Sequence, residues 1–188
     1  MGTRHVTMVI LDEKPVIAQY GQWDGYPDGQ GATILEFLET MIEKTMREKL
    51  AKCRFITPEE ATKFDAEIAA SDKGLKELFP LLTRDLGAGI LQAVYDSDAE
   101  EILLSDQSDF GQDEVFCEFA YIIDLDKATF EFYTSWSDAV LDKKDKGWWA
   151  KRAKGKDKPI LLSRTYSLRQ LPTVEDLQAL ACPETEDA

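Results

Sequence analysis

Histidine is almost missing from this chain of 188 residues: His5 is the only one. Any Ser/His or Cys/His catalytic pair would have to use it, and a zinc site of the ordinary His/Cys type lacks ligands. Cysteine is scarce as well. Cys53, Cys117 and Cys182 are odd in number, far apart and outside any CxxC pair, the pattern of free or buried thiols in a reducing compartment. Cys117, inside an apolar run, reads as a small core residue. Long apolar runs are also absent: none approaches the roughly 18 residues of a membrane helix. The start, Met1-Gly2-Thr3-Arg4-His5, enters a strand-like segment without the apolar run and cleavage site of a secretory signal. Val6 stands where a myristoylation pattern needs Ser or Thr. The expectation is a soluble cytoplasmic protein that does not engage a membrane.

Known chemical motifs are missing too. There is no GxxxxGK[ST], no GxGxxG after a strand, no HExxH and no GxSxG. No catalytic set is recognisable, no cofactor is implied, and no metal ligands are assigned. Bases are in deficit: 22 Lys and Arg stand against 36 Asp and Glu, a net charge of −14. The deficit is uneven. Residues 143–158 hold eight bases and two acids, which leaves 14 bases against 34 acids elsewhere, or −20. Such a surface repels nucleic-acid phosphates and anionic lipid, so the body of the protein is not expected to bind nucleic acid directly. It attracts a basic protein surface, and it also keeps the chain soluble.

What is present suffices for a folded core, with 44% hydrophobic and 10% aromatic residues, and the length favours one domain. Residues 3–11 read as a strand by their β-branched content, with apolar side chains on both faces (Val6 and Met8, Val9 and Leu11), as in a central, doubly covered strand. Asp12–Pro15 reads as a turn, and Val16–Trp23 as the returning strand of a hairpin. The segment Trp23–Gly31, with three glycines, a proline and two aspartates, cannot be regular structure. Ile34, Leu35, Leu38, Met41, Ile42, Thr45, Met46 and Leu50 predict one helix of about four turns. Thr57-Pro58-Glu59-Glu60 is a helix start with a capping box, and Phe64 and Ile68 share a face of that helix. A short helix over Leu75–Phe79 stops at Pro80. Thr83 caps another, with Leu86, Ile90, Leu91, Val94 and Tyr95 inward and Gly87 and Gly89 marking close packing. Val115–Asp124 and Thr129–Tyr133 predict a second hairpin, residues 137–158 a charged insert, Ile160–Tyr166 a last strand, and Thr173 the cap of a final helix. The layout predicts an α+β domain over residues 1–182. It has a mixed or antiparallel sheet that starts with the N-terminal hairpin, several helices packed on it, and a flexible tail at 183–188.

Three constellations carry chemical interest. Gln19–Gly31 concentrates amides, aromatics and carboxylates on a glycine-rich turn that leads into a helix. Gln22, Trp23, Asp24 and Tyr26, joined by Arg4 and His5 from the same hairpin end, form a candidate ligand-binding set. The same residues also read as a folding device in which Asp24-Gly25 turns the chain and Asp28 helps cap the helix, and His5 as a structural strand histidine. Asp96, Asp98, Glu100, Glu101, Asp106, Asp109, Asp113 and Glu114 form an acidic cluster without EF-hand spacing, read as a solvated loop. The basic insert interleaves Trp148-Trp149 with lysines. It can stack a single nucleic-acid strand, fold onto the acidic body, or grip an acidic partner.

Gly2-Thr3-Arg4-His5, Ala18–Pro27 and Gly29-Gln30-Gly31 resemble the opening of a widespread family of uncharacterised phage and prophage proteins, with looser relatives in other bacteria and in fungi. Phe116–Asp126 with Thr129-Phe130-Glu131 is similar to that family's second signature, and Tyr166–Pro172 to its ending. The resemblance is strong over roughly residues 1–38 and 109–133 and loose through the helical middle, and residues 143–158 depart from it. It implies a phage-type accessory protein that binds and disables a host or defence protein in the host cytoplasm, here through an acidic surface that acts as a nucleic-acid mimic or inhibitor. The alternative from the residues themselves is a small-ligand or nucleotide-binding protein, or a hydrolytic enzyme, working at the Gln19–Gly31 hairpin end.

Overall fold

The computed structural model describes residues 2–137, 141, 142, 144–155 and 157–182. Among them lie seven α-helices, a mixed five-stranded sheet and a two-stranded sheet. The first hairpin pairs β1 (His5–Leu11) with β2 (Lys14–Gly21). β1 then runs parallel to β5 (Phe119–Asp124), which pairs antiparallel with β6 (Thr129–Thr134), and β6 pairs antiparallel with β7 (Leu162–Ser167). The order β2-β1-β5-β6-β7 puts β1 and β5 inside the sheet, and β1 is buried on both faces, as its apolar pattern predicts.

The hairpin turn is tighter than expected. Only Asp12 and Glu13 form it, with φ of 52° and 62°, the left-handed pair that matches strand twist in a two-residue hairpin. Neither is glycine; the conformation is held from outside. The Asp126 carboxylate accepts the backbone N–H groups of Asp12 (3.0 Å) and Glu13 (2.8 Å), and these hydrogen bonds keep its pKa below the usual carboxylate range. Pro15 lies within β2 rather than ending a run, which an edge strand tolerates.

Alternation along the strands divides the core in two. Val9, Ile17, Tyr121, Ile123, Phe130 and Phe132 face the main helical layer. This layer contains α1 (Ala32–Thr40), α2 (Glu43–Leu50), α5 (Ile90–Asp96) and α7 (Val174–Ala181). Val6, Met8, Ile10, Ala120 and Ile122 face the other way, against Trp149, Ile160 and Leu162. The basic insert is thus the sheet's second cover. Its short helix α6 (Gly147–Ala150) drives Trp149, 1% exposed, into the core. The Trp149 indole N–H donates to the Ser108 carbonyl at 2.6 Å, and the ring meets Tyr133 edge-on at 5.1 Å. Gly111 makes room for it, since a Cβ there would lie 2.3 Å from the indole. Of the three readings of the insert, the described part folds onto the protein itself, through an apolar anchor.

Several boundaries differ from expectation. The helix predicted over Ile34–Leu50 is two: Met41 and Ile42 are extended (ψ of 129° and 110°), and the Ile42 N–H donates to the Tyr95 hydroxyl. The bend lets Met46 and Leu50 reach the core while Ile42 stays 62% exposed, whereas a straight helix would carry them past it. The strand expected from Val115 starts at Phe119. The Asp113 carboxylate accepts the Val115 N–H and its carbonyl the Phe116 and Cys117 N–H groups, which winds 113–117 into a turn and leaves Val115 and Phe116 exposed. Two short parallel strands, β3 (Cys53–Phe55) and β4 (Ile102–Leu104), lie in stretches where none was expected. The capping boxes at α3 (Pro58–Ala69, Thr57 cap) and α7 (Thr173 cap) are present. The short helix α4 (Leu75–Leu78) stops before Pro80, and its neighbour Phe79 packs on Phe64 at 4.3 Å. Thr83 caps a 3-10 turn, Arg84–Gly89, rather than α5 itself. The expected tail, 183–188, lies outside the described residues. Among the described residues no helix is long and apolar enough to cross a membrane.

Candidate functional site

All six candidate residues lie at one end of the large sheet, where β1 and β5 start and β2 and β6 finish. Strand alternation separates Arg4 from His5. The Arg4 backbone N–H donates to the Glu118 carboxylate at 2.8 Å. Its guanidinium pairs with the same carboxylate at 3.5 Å, donates to the Val115 carbonyl and lies 5.2 Å from the centre of the Phe116 ring. His5 points the other way and is fully buried, with neither ring nitrogen hydrogen-bonded among the described residues. Its ring lies under Gly21 and Gly25. A Cβ on Gly21 would sit 2.0 Å from the imidazole, so position 21 admits no side chain unless the ring moves. Burial lowers the His5 pKa to about 4, weakly opposed by the Thr3 backbone.

The turn segment is a plug over this imidazole. The Gly25 N–H donates to the Thr3 carbonyl (3.0 Å), and the Gln30 N–H to the Asp24 carbonyl (2.9 Å). The buried Tyr121 hydroxyl donates to the Gly25 carbonyl (2.8 Å). Gln30 Oε1 accepts the Ala88 N–H at 2.6 Å beside Gly87, whose φ of 49° and lack of a side chain admit it. Asp24 takes a φ of 55° at the apex, and the Gln22 side chain accepts the Tyr20 hydroxyl. Pro27–Gly31 then winds into a single wide turn ahead of α1.

What this end presents outward is aromatic. Trp23 is 55% exposed, Trp136 43% and Tyr26 38%, and Phe116 and Val115 are more than half exposed. These are five of the seven large apolar side chains exposed among the described residues, so the clustering is not the usual scatter of single surface hydrophobes. Contacts link them. Tyr26 meets Trp136 edge-on at 5.5 Å and both pack on the buried Phe119. The Ser135 N–H donates to Glu118, whose carboxylate holds Arg4 against Phe116. Asp24, Asp28 and Asp113 are exposed around the patch. The structure thus places Gln22, Trp23, Asp24 and Tyr26 on the turn that covers His5, and Arg4 on the opposite side of the strand against Glu118 and Phe116. It adds Trp136 and Phe116, which sequence reasoning missed. Trp136 carried one signal, an aromatic between Ser135 and Ser137 just past a strand, whereas Phe116 was masked by its apolar run.

The acidic stretch 96–114 breaks up into structural roles. Glu101 and Glu60 grip Arg54, Asp98 meets Lys49, and Asp106 and Asp113 accept backbone N–H groups in turns. Between them Ile102 and Leu104 are buried, so the stretch is not wholly a solvated loop. Among the described residues no three His, Cys, Asp or Glu side chains gather as metal ligands. Burial pushes the Cys53 thiol up to about 12 and raises Cys117 further, so both stay protonated and unreactive at neutral pH. Glu131, half-buried and raised by desolvation, accepts the Tyr133 hydroxyl, which in turn accepts the Trp148 N–H (3.0 Å). This chain fastens the insert to β6. No family model matches the chain, and comparison with curated proteins and with solved structures returns no match.

Proposed function

We propose that this is a phage-type accessory protein that binds a basic surface of a host or defence protein in the cytoplasm. Its docking face is the aromatic end of the sheet and its acidic exterior supplies long-range attraction. The observation that carries the reading is the gathering of exposed Trp23, Tyr26, Phe116 and Trp136 at one end of the sheet, with Arg4 packed on Phe116 and carboxylates nearby. Tryptophan, tyrosine and arginine are the residue types that dominate binding energy at protein interfaces, and a rim of one charge sign selects the partner and speeds encounter. A charge of −14 favours a cationic partner and disfavours nucleic acid. The family resemblance of the hairpin end and of Phe116–Asp126 supports a host-directed role. Inhibition by imitation of nucleic-acid charge is one form it takes.

The test is a pull-down from host lysate at about 0.1 M and about 1 M salt, where the screening length falls from about 10 Å to about 3 Å. It compares the natural protein with a Trp23→Ala/Trp136→Ala variant. The reading predicts a basic partner retained at low salt, released at high salt and lost from the variant. Retention indifferent to salt, or equal for the variant, contradicts it.

A further inference from the structure

The second face of the sheet bears a cleft of about 620 Å³ between the start of β2, the 3-10 turn Ser108–Gln112 and the basic insert. That volume lies within the range of small-molecule sites, about 300–1,000 Å³. Six side chains give it an uncommon mixture of chemistry. Trp148 forms an aromatic wall, and the Arg152 guanidinium stacks on it 3.3 Å from the ring centre, held by a hydrogen bond to the Trp148 carbonyl (3.1 Å). Arg152 is itself exposed, so its outer face is open. Lys154 brings an ammonium, and Asp109 and Asp157 bring carboxylates. Gln112 lines the wall, its Oε1 buried away from solvent.

Each group selects a feature of the ligand. A guanidinium backed by an indole stacks a flat ring. The ammonium takes an anion, and the carboxylates take hydroxyl donors. Inorganic phosphate has only the anion, and an acidic peptide lacks the diol. A nucleic-acid strand would carry further phosphates out over a body of net charge −20 outside residues 143–158, where 34 acids face 14 bases. One small class has all three features, a flat ring, an anion and a pair of hydroxyls. We propose that this cleft binds a nucleoside monophosphate, with its base stacked on Arg152 and Trp148, its phosphate at Lys154 and its ribose hydroxyls toward the aspartates. The site lies in the insert, apart from the Gln19–Gly31 hairpin end, and is independent of the protein-binding face.

Calorimetric titration of the whole protein with AMP tests this, with adenosine, inorganic phosphate and a short single-stranded oligonucleotide as comparators. Saturable AMP binding is expected, with adenosine and phosphate each about tenfold weaker or more. Loss of one stacking partner removes about 1–3 kcal/mol in comparable sites, so Arg152→Gln and Trp148→Ala should each weaken AMP about tenfold, and Lys154→Gln should weaken AMP but not adenosine. Arg152 and Lys154 are exposed, so those two variants report even if Trp148→Ala disturbs the insert. Absence of saturable AMP binding at millimolar concentration overturns the proposal. AMP affinity unchanged in both Arg152→Gln and Lys154→Gln does so too, as does an oligonucleotide that binds more tightly than AMP.

Discussion

Because the chain has a single histidine, one buried group makes a clean pH prediction. His5 is neutral in the folded protein, its pKa lowered from 6.5 to about 4 by burial beneath Gly21 and Gly25. In the unfolded chain it takes up a proton near 6.5. Between these values the unfolded state holds one more proton than the folded state, so stability falls as pH falls. The slope is about 1.4 kcal/mol per pH unit. Above pH 6.5 the contribution is complete and constant, and by pH 4 about 3 kcal/mol has been lost, a large share of the 5–15 kcal/mol typical of a domain. Carboxylates titrate in the same window, so the measurement is a difference. Urea unfolding of the natural protein and of His5→Leu, which cannot titrate there, is compared from pH 7.5 to 4.5. The gap between the two free energies should hold steady down to about pH 6.5 and then shift against the natural protein by about 1.4 kcal/mol per unit. The His5 ring resonances should still show a neutral imidazole at pH 5.5. A gap that stays flat across the range, or an imidazole titrating near 6.5 in the folded protein, would falsify the buried, unpartnered placement.

Trp149→Ala should destabilise the protein by about 3–5 kcal/mol through the cavity it leaves, lowering both the urea midpoint and the amide protection of β6, whereas truncation of a surface lysine of the insert should change stability by less than about 0.5 kcal/mol. Gly147→Ala should be comparably harmful, since φ is 91° there and a Cβ would lie 2.4 Å from Tyr133; far-UV and near-UV circular dichroism should show a retained fold with a loosened aromatic environment. Asp126→Ala should cost about 1 kcal/mol at pH 7, the scale of a lost helix cap, by freeing the Asp12 and Glu13 N–H groups. Because the Asp126 pKa is lowered on folding, that loss should shrink as pH drops through the acid range, which urea unfolding at pH 7 and pH 3 can read.

Features set by neighbours in sequence were readable before the structure. The capping boxes at Thr57 and Thr173 need only three residues of context, and the burial of β1 on both faces follows from alternation within seven residues. Features set by distant contacts were not. The Asp12-Glu13 turn has none of the glycine or asparagine that usually marks it, because Asp126 holds it from another hairpin. The break at Met41-Ile42 depends on Tyr95, and the start of β5 on how Asp113 ties up the residues before it. Lysine density hid the packing role of the insert, which rests on Trp149 fitting over Gly111, 38 positions earlier. The candidate site was half legible. Composition pointed to Gln22, Trp23, Asp24 and Tyr26, and the sheet gathers them at the end where Arg4 also lies. Trp136 and Phe116 join that end through a fold no local pattern encodes.

The central claim is that the aromatic end of the sheet is the docking face. Hydrogen exchange of the protein, free and bound to the partner captured in the low-salt pull-down, tests it most directly. The account predicts slowed exchange concentrated in residues 22–26, 114–118 and 134–137, with the exposed faces of α2 and α3 unchanged. Protection confined to those helices or to the insert, with the aromatic end exchanging as in the free protein, would contradict it.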